Sequence, residues 1–308
     1  MKILVVGAGA IGGYFGGRLL AAKRDVTFLV RERRAAQLAK TGLVIRSKLG
    51  DVSLPSPPTV AAEALNGPYD VVLLSCKAYD LDGAMTSFAP AVGPETAILP
   101  LLNGLAHIEK LGQRFGRKNV LGGQAAISLV LDRDGRIVHL NDGLVLGFGE
   151  LDGTKSARVA ALAAEFAAAG IQASQSETIL QDMWEKWAFI ATAGAITSVM
   201  RGTVGDIVAA GGAPLTLELY DEIARIAAAN GHPLRGPAAE RARAMLTAAG
   251  SPFTASMMRD VEGGYATEVE HVVGDLLKRK KGGDYPMLTV AYAHLKTYEA
   301  RRNREGKA

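Results

Sequence analysis

The first residues with chemical potential are glycines. Lys2-Ile-Leu-Val-Val-Gly7-Ala8-Gly9-Ala10-Ile11-Gly12 is a G-x-G-x-x-G motif, set after an apolar run and before a stretch able to form a helix. In that context each glycine has a task. Gly7 makes a tight turn, Gly9 lets the backbone approach a pyrophosphate, and Gly12 lets the helix pack on the strand. A helix starting near Ala10 and Ile11 presents unpaired N–H groups and a partial positive charge to phosphates. The bland alternative is a glycine-rich turn that binds nothing, and the flanking strand and helix weigh against it.

The end of the second strand predicts which dinucleotide binds. A carboxylate there accepts from a ribose 2′-OH, whereas a guanidinium grips a 2′-phosphate. Here the run Val26–Val30 meets Arg31, with Glu32 one position late and Arg33 and Arg34 following. Arg31 therefore favours NADPH, the alternative being a plain surface charge.

Reduction of a carbonyl also needs an acid near its oxygen. The five histidines show no metal-ligand spacing, no H-E-x-x-H or G-x-S-x-G is present, and no metal is expected. Cys76 ends an apolar run and suits a small buried residue better than a nucleophile. Lysines remain, among them Lys77 and Lys186. Lys186 lies in Trp184-Glu-Lys186-Trp187, at the edge of an apolar helical stripe of Leu180, Met183, Trp184, Trp187 and Ala191. Spacing alone leaves a snorkelling lysine and a catalytic one equally open.

These residues need a scaffold, and the chain carries two patterns. Lys2–Val6, Val26–Val30, Val71–Ser75 and Ala97–Leu102 are strand-like, with helical stretches at Ile11–Ala22, Ala35–Lys40 and Leu81–Phe88. That alternation predicts crossover units and a mostly parallel sheet. Ile137–Leu140 and Leu144–Phe148 read as a hairpin around Asn141-Asp142-Gly143. A helix over Ser156–Ala169 and a strand over Ile171–Ala173 follow. Beyond residue 178 only helices are expected: Ile179–Met200, Pro214–Asn230, Pro237–Ala249, Val261–Lys281 and Pro286–Arg302, with Gly231, Gly250 and Gly282 at helix ends. The expected architecture is an α/β Rossmann domain over residues 1–178, then an all-helical substrate and catalytic domain over 179–308. A ligand cleft between two such domains is the default expectation.

Composition excludes several other classes. With 308 residues, 48% hydrophobic and 21% charged, the chain reads as an ordinary soluble globular protein. Its single cysteine allows no internal disulfide and fits a reducing cytoplasm. Basic clusters at Arg31–Arg34 and Lys278–Lys281 come with no nucleic-acid-binding module, so no such partner is expected. Ile3–Ala22 mimics a secretory signal, but six glycines and Arg18 interrupt it, so neither targeting segment nor membrane span is predicted.

Taken together, the motifs resemble the ketopantoate reductase (2-dehydropantoate 2-reductase) family over nearly the whole chain. The matching pieces are Gly7–Gly12, Leu-Leu-Ser-Cys-Lys77-Ala, Leu-Leu-Asn103-Gly104, Trp184-Glu-Lys186 and Ser256-Met-Met-Arg-Asp260, with Thr267-Glu268 further on. The resemblance implies reduction of a small 2-oxo acid by NADPH between the two domains, ketopantoate being the leading substrate. It implies Lys186 as general acid, Ser256 as a holder of the substrate carboxylate, Asn103 near nicotinamide and substrate, and Lys77 in contact with the cofactor. Glu268 matches the family's acidic residue near lysine and cofactor. A homodimer is one assembly open to it.

One departure stands out. The family resemblance implies asparagines four and eight residues after the lysine, reading the substrate hydroxyl; here those positions are Ile190 and Gly194, and a third becomes Val204. Losing such partners costs selectivity by orders of magnitude. Thr197 and Arg201, near the same helix edge, are the candidate substitutes. Two further readings follow: a reductase for a less polar 2-oxo acid, or an NADPH sensor without catalysis. A sensor would need none of Lys186, Asn103, Ser256 and Glu268.

Overall fold

A computed structural model describes residues 1–306; the last two residues of the expected 179–308 region lie outside the described residues. The chain divides into two compact units. One comprises residues 1–102 and 107–180, the other 103–106 and 181 onward. The second unit thus takes in the short segment around Asn103.

The first unit is built on β1 (Lys2–Val6), α1 (Ala10–Ala21), β2 (Asp25–Leu29), α2 (Glu32–Thr41), β3 (Leu43–Arg46), β4 (Val52–Leu54), β5 (Thr59–Val60), β6 (Val71–Leu74), α3 (Leu81–Phe88) and β7 (Ala97–Pro100). It continues with α4 (Ala106–Phe115), β8 (Leu121–Ala126), β9 (Leu129–Leu131), β10 (Ile137–His139), β11 (Val145–Glu150), α5 (Ala157–Ala168) and β12 (Ala173–Gln175). Its main sheet has the order β5-β2-β1-β6-β7 and is parallel throughout. β1, β6 and β7 are buried almost along their length, as continuous apolar runs in a covered parallel sheet must be. Phe15, Phe28, Phe148 and Phe166 sit in the core beside them.

The expected hairpin around Asn141–Gly143 does not form. β10 pairs antiparallel with β9 in one sheet, while β11 pairs antiparallel with β8 in another. The tight hairpin lies one strand earlier, where Asp132 Oδ1 accepts from the backbone N–H groups of Asp134 and Arg136. Asn141 bridges instead: its Oδ1 accepts from Ser128 N at 2.8 Å. The closing strand is also displaced, to Ala173–Gln175 rather than Ile171–Ala173, because it adds in parallel to β11.

The second unit is helical, as expected: α6 (Ile179–Met200, its first two residues in the other unit), α7 (Val204–Ala209), α8 (Ala213–Ala229), α9 (Gly236–Leu246), α10 (Ser256–Glu262), α11 (Asp275–Arg279) and α12 (Pro286–Arg304). Gly231, Gly250 and Gly282 take positive φ at helix ends. Three features depart from the sequence reading. α7 and α10 were absent from it; Thr203 and Asp206 start α7 with a reciprocal capping box. Val261–Lys281 is not one helix: Gly264 turns the chain at φ +73°, and residues Glu270–Gly274 form a π-helical segment running into α11. Among the described residues no helix is long and apolar enough to cross a membrane.

Candidate active site

In the first unit, the glycine turn has the geometry its sequence requires. Gly7 has φ +92°, a conformation costly for any other residue, and its N–H donates to Leu29 O at 3.0 Å. A Cβ on Gly9 would meet nothing within 4 Å, so the space above it is open. A Cβ on Gly12 would run into Ser75 Oγ and the Gly7 carbonyl. Gly9 is the N-cap of α1 and no side chain caps that helix, which leaves its first N–H groups for a ligand. An exposed floor at Gly9, a close helix–strand contact at Gly12 and an uncapped helix end fit a dinucleotide pyrophosphate.

Two side chains that the sequence reading passed over support this turn. Ser75 Oγ donates to Val6 O at 3.0 Å, fastening β6 to the end of β1. Arg34, taken only as part of a basic cluster, donates from Nε to Ala8 O at 3.0 Å and from Nη1 to Gln37 Oε1 at 2.6 Å. Arg31 sits at the N-cap of α2, with its side chain 79% exposed, and pairs with Asp80 at 2.7 Å. Asp80's hydrogen bond and charge push the guanidinium pKa up further. Lys77 is half-buried, just before the short helical turn Ala78–Asp80 that carries Asp80.

The second unit gathers three of the predicted residues. Lys186 Nζ donates to Asn103 Oδ1 at 3.2 Å. The protein around it desolvates the ammonium and pulls its pKa down to about 8, against the opposing charge of Glu268. Glu268 itself is buried, at 8% exposure. Gly104 explains the approach of the Asn103 loop: it has φ +76°, and a Cβ there would lie 2.7 Å from the His271 carbonyl. On the next residue of α6, Trp187 Nε1 donates to Val272 O at 2.9 Å. Loop, helix and π-helical segment are thus knitted around one lysine. The tryptophans were legible as core, but the π-helical carbonyl that anchors Trp187 had no sequence signal.

Ser256 opens α10 and is exposed. The next residue, Met257, packs toward α6: a Cβ on Gly194 would lie 2.8 Å from Met257 Cε. Ile190 is half-buried on α6, and Val204 is buried at the start of α7. The suggested substitutes are occupied elsewhere. Thr197 is fully buried and donates its hydroxyl to Ala193 O at 2.6 Å, while Arg201 pairs with Glu262 at 3.0 Å. Among the described residues no group of His, Cys, Asp and Glu is arranged to hold a metal ion.

Two family models cover most of the chain: ketopantoate reductase PanE/ApbA matches residues 3–153, and the C-terminal ketopantoate reductase PanE/ApbA model matches residues 178–299. The chain belongs to the ketopantoate reductase family. With this family it is an oxidoreductase acting on a CH–OH/C=O pair. It is 38% identical over 305 residues to the uncharacterized oxidoreductase YkpB of Bacillus subtilis (strain 168), covering 98% of this chain and all of that one. The crystal structure of 2-dehydropantoate 2-reductase from Methylococcus capsulatus superimposes with a TM-score of 0.85 at 30% identity, over 98% of each chain. The fold is shared more widely: D-mandelate dehydrogenase, solved with NADH and anilino(oxo)acetate, gives a TM-score of 0.88 at 20% identity, over 98% of this chain and all of that one.

Proposed function

We propose that this enzyme reduces a 2-oxo acid with NADPH, Lys186 donating the proton. The observation that carries the reading is the desolvated lysine itself, with its pKa near 8 and its Nζ held by Asn103. An ammonium so poised is protonated at neutral pH yet ready to give its proton up. Gly7–Gly12 would hold the cofactor pyrophosphate, Arg31 the 2′-phosphate, and Lys77 would add a contact. When bound, the nicotinamide supplies a hydride to the carbonyl carbon. Lys186 supplies the proton to the carbonyl oxygen, so the sum is a 2-hydroxy acid. Asn103 orients Lys186, and Glu268 favours its charged form. Ser256 would hold the substrate carboxylate.

Ketopantoate is the substrate the family suggests first. A second reading, a 2-oxo acid with an apolar side chain, is favoured by a specific observation. The α6 positions that follow Lys186 are Ile190 and a Gly194 whose side-chain space Met257 Cε approaches. Neither offers a donor to a hydroxyl. NADPH oxidation measured against ketopantoate, its dehydroxylated analogue and a panel of aliphatic and aromatic 2-oxo acids tests both. Turnover of at least one is expected; none with either NADPH or NADH would refute the reading.

A further inference from the structure

The Arg31–Asp80 ion pair joins loops from two different strands. Arg31 follows β2 by two residues, Asp80 follows β6 by six, and β1 lies between those strands in the sheet. The three strands are parallel, so their C-terminal loops leave from one edge, the edge that carries the Gly7–Gly12 turn. A guanidinium that reaches from one flanking loop to the other spans the end of β1. That is where the phosphates and the adenosine ribose of a dinucleotide lie in such a fold.

The pair is built to exchange. Its side chains are 79% and 35% exposed, and an ion pair in contact with water holds weakly. Of its neighbours, Arg34 is committed to Ala8 O and Gln37, while Arg31 is the cation that reaches across the strand end to Asp80. A phosphate monoester carries roughly −1.5 to −2 charge and three acceptor oxygens, against one charge on a carboxylate.

We propose that Asp80 is a specificity-determining residue for the cofactor: its carboxylate occupies Arg31 in the free protein, and a ribose 2′-phosphate must displace it. The proposal rests on the reading of Arg31 as the phosphate ligand. It makes Asp80 a penalty on NADPH alone. A 2′-hydroxyl does not compete for the guanidinium, so NADH binds with the pair intact. A displaced carboxylate also stays close enough to repel the phosphate.

The test is fluorescence titration of NADPH and NADH into the full chain and into Asp80→Asn, Asp80→Glu, Arg31→Ala and the double variant Arg31→Ala with Asp80→Asn. Asp80→Asn is expected to tighten NADPH about tenfold, roughly fivefold from freeing Arg31 of an exposed ion pair and about twofold from removing a charge that repels the phosphate, and to change NADH less than about twofold. Asp80→Glu, which keeps the charge, should stay within about twofold of the parent for both. Without Arg31, Asp80→Asn should help NADPH by less than about threefold, since only residual repulsion remains. If Asp80→Asn leaves NADPH unchanged, or tightens both cofactors alike, while Arg31→Ala still weakens NADPH, Asp80 has no such role and the cofactor reading stands. If Arg31→Ala itself leaves NADPH affinity intact, that cofactor reading fails and the proposal fails with it.

Discussion

Lys186 and Asn103 meet at 3.2 Å although 83 residues separate them, and both belong to the helical unit. The contact gives the ammonium an acceptor that carries no charge. Asn103 therefore fixes the direction of Lys186 without raising its pKa as a carboxylate in the same place would. Asn103→Ala should lower kcat by about 10–100-fold, the cost of a loosely placed donor, while changing cofactor affinity little. Stopped-flow kinetics with saturating cofactor measures this. Loss of cofactor binding with kcat preserved would assign Asn103 to the nucleotide instead.

Arg31→Ala should weaken NADPH by about 10–150-fold, the worth of a hydrogen bond to a charged group, and leave NADH nearly unchanged. Calorimetric titration of both cofactors is the measurement. Equal affinities for the two in the unaltered protein would contradict an NADPH preference.

Ile190→Asn should raise activity on ketopantoate relative to its dehydroxylated analogue, by up to about tenfold, since one added hydrogen bond is worth about 0.5–1.5 kcal/mol net. Gly194→Asn is the poorer test, because Met257 Cε must first move out of the way. An unaltered enzyme that already prefers ketopantoate strongly over the analogue would show that other residues read the hydroxyl.

Glu222 offers a test of the helical unit that is independent of chemistry. Its carboxylate is fully buried and accepts from Met287 N at 3.0 Å and Leu288 N at 2.8 Å, at the start of α12. Glu222→Ala removes two charge-assisted bonds, together about 3 kcal/mol, and should lower Tm by roughly 6–12 °C in thermal denaturation. An unchanged Tm would mean that α12 starts without this tether.

The sequence was most legible where one local pattern decided the outcome. β1 and its glycine turn are specified by an apolar run and by positions that only glycine fits, and Gly12, packed against Ser75, is such a position. The turn at Asn141–Gly143 was misread because hairpin chemistry fixes a reversal but not the partner strand. β11 found β8, which offered six paired residues against the three that β9 gives β10. The stretch Val261–Lys281 kept a helical period across Gly263 and Gly264, and period alone does not distinguish an α-helix from the π-helical turns at Glu270–Gly274. Lys186 was identifiable as a candidate. Its desolvation was not, because that depends on segments far away in sequence, such as the Asn103 loop that meets its Nζ.

The central claim is that Lys186 donates the proton, and the pH dependence of the reaction tests it most directly. The lysine is depressed from 10.5 to about 8 by burial, so it is protonated below that pH and neutral above it. As a general acid it must be protonated, so kcat/KM for reduction should be flat below about pH 8 and fall about tenfold per pH unit above it. The sign for folding is opposite: the buried ammonium's cost is fully present below about pH 8 and is relieved as pH rises from there toward 10.5. Lys186→Ala should lose turnover by about 10²–10⁴-fold, keep its cofactor affinity, and lose the alkaline limb of the profile. An alanine variant with near-normal turnover, or one that keeps the same fall above pH 8, would contradict the account.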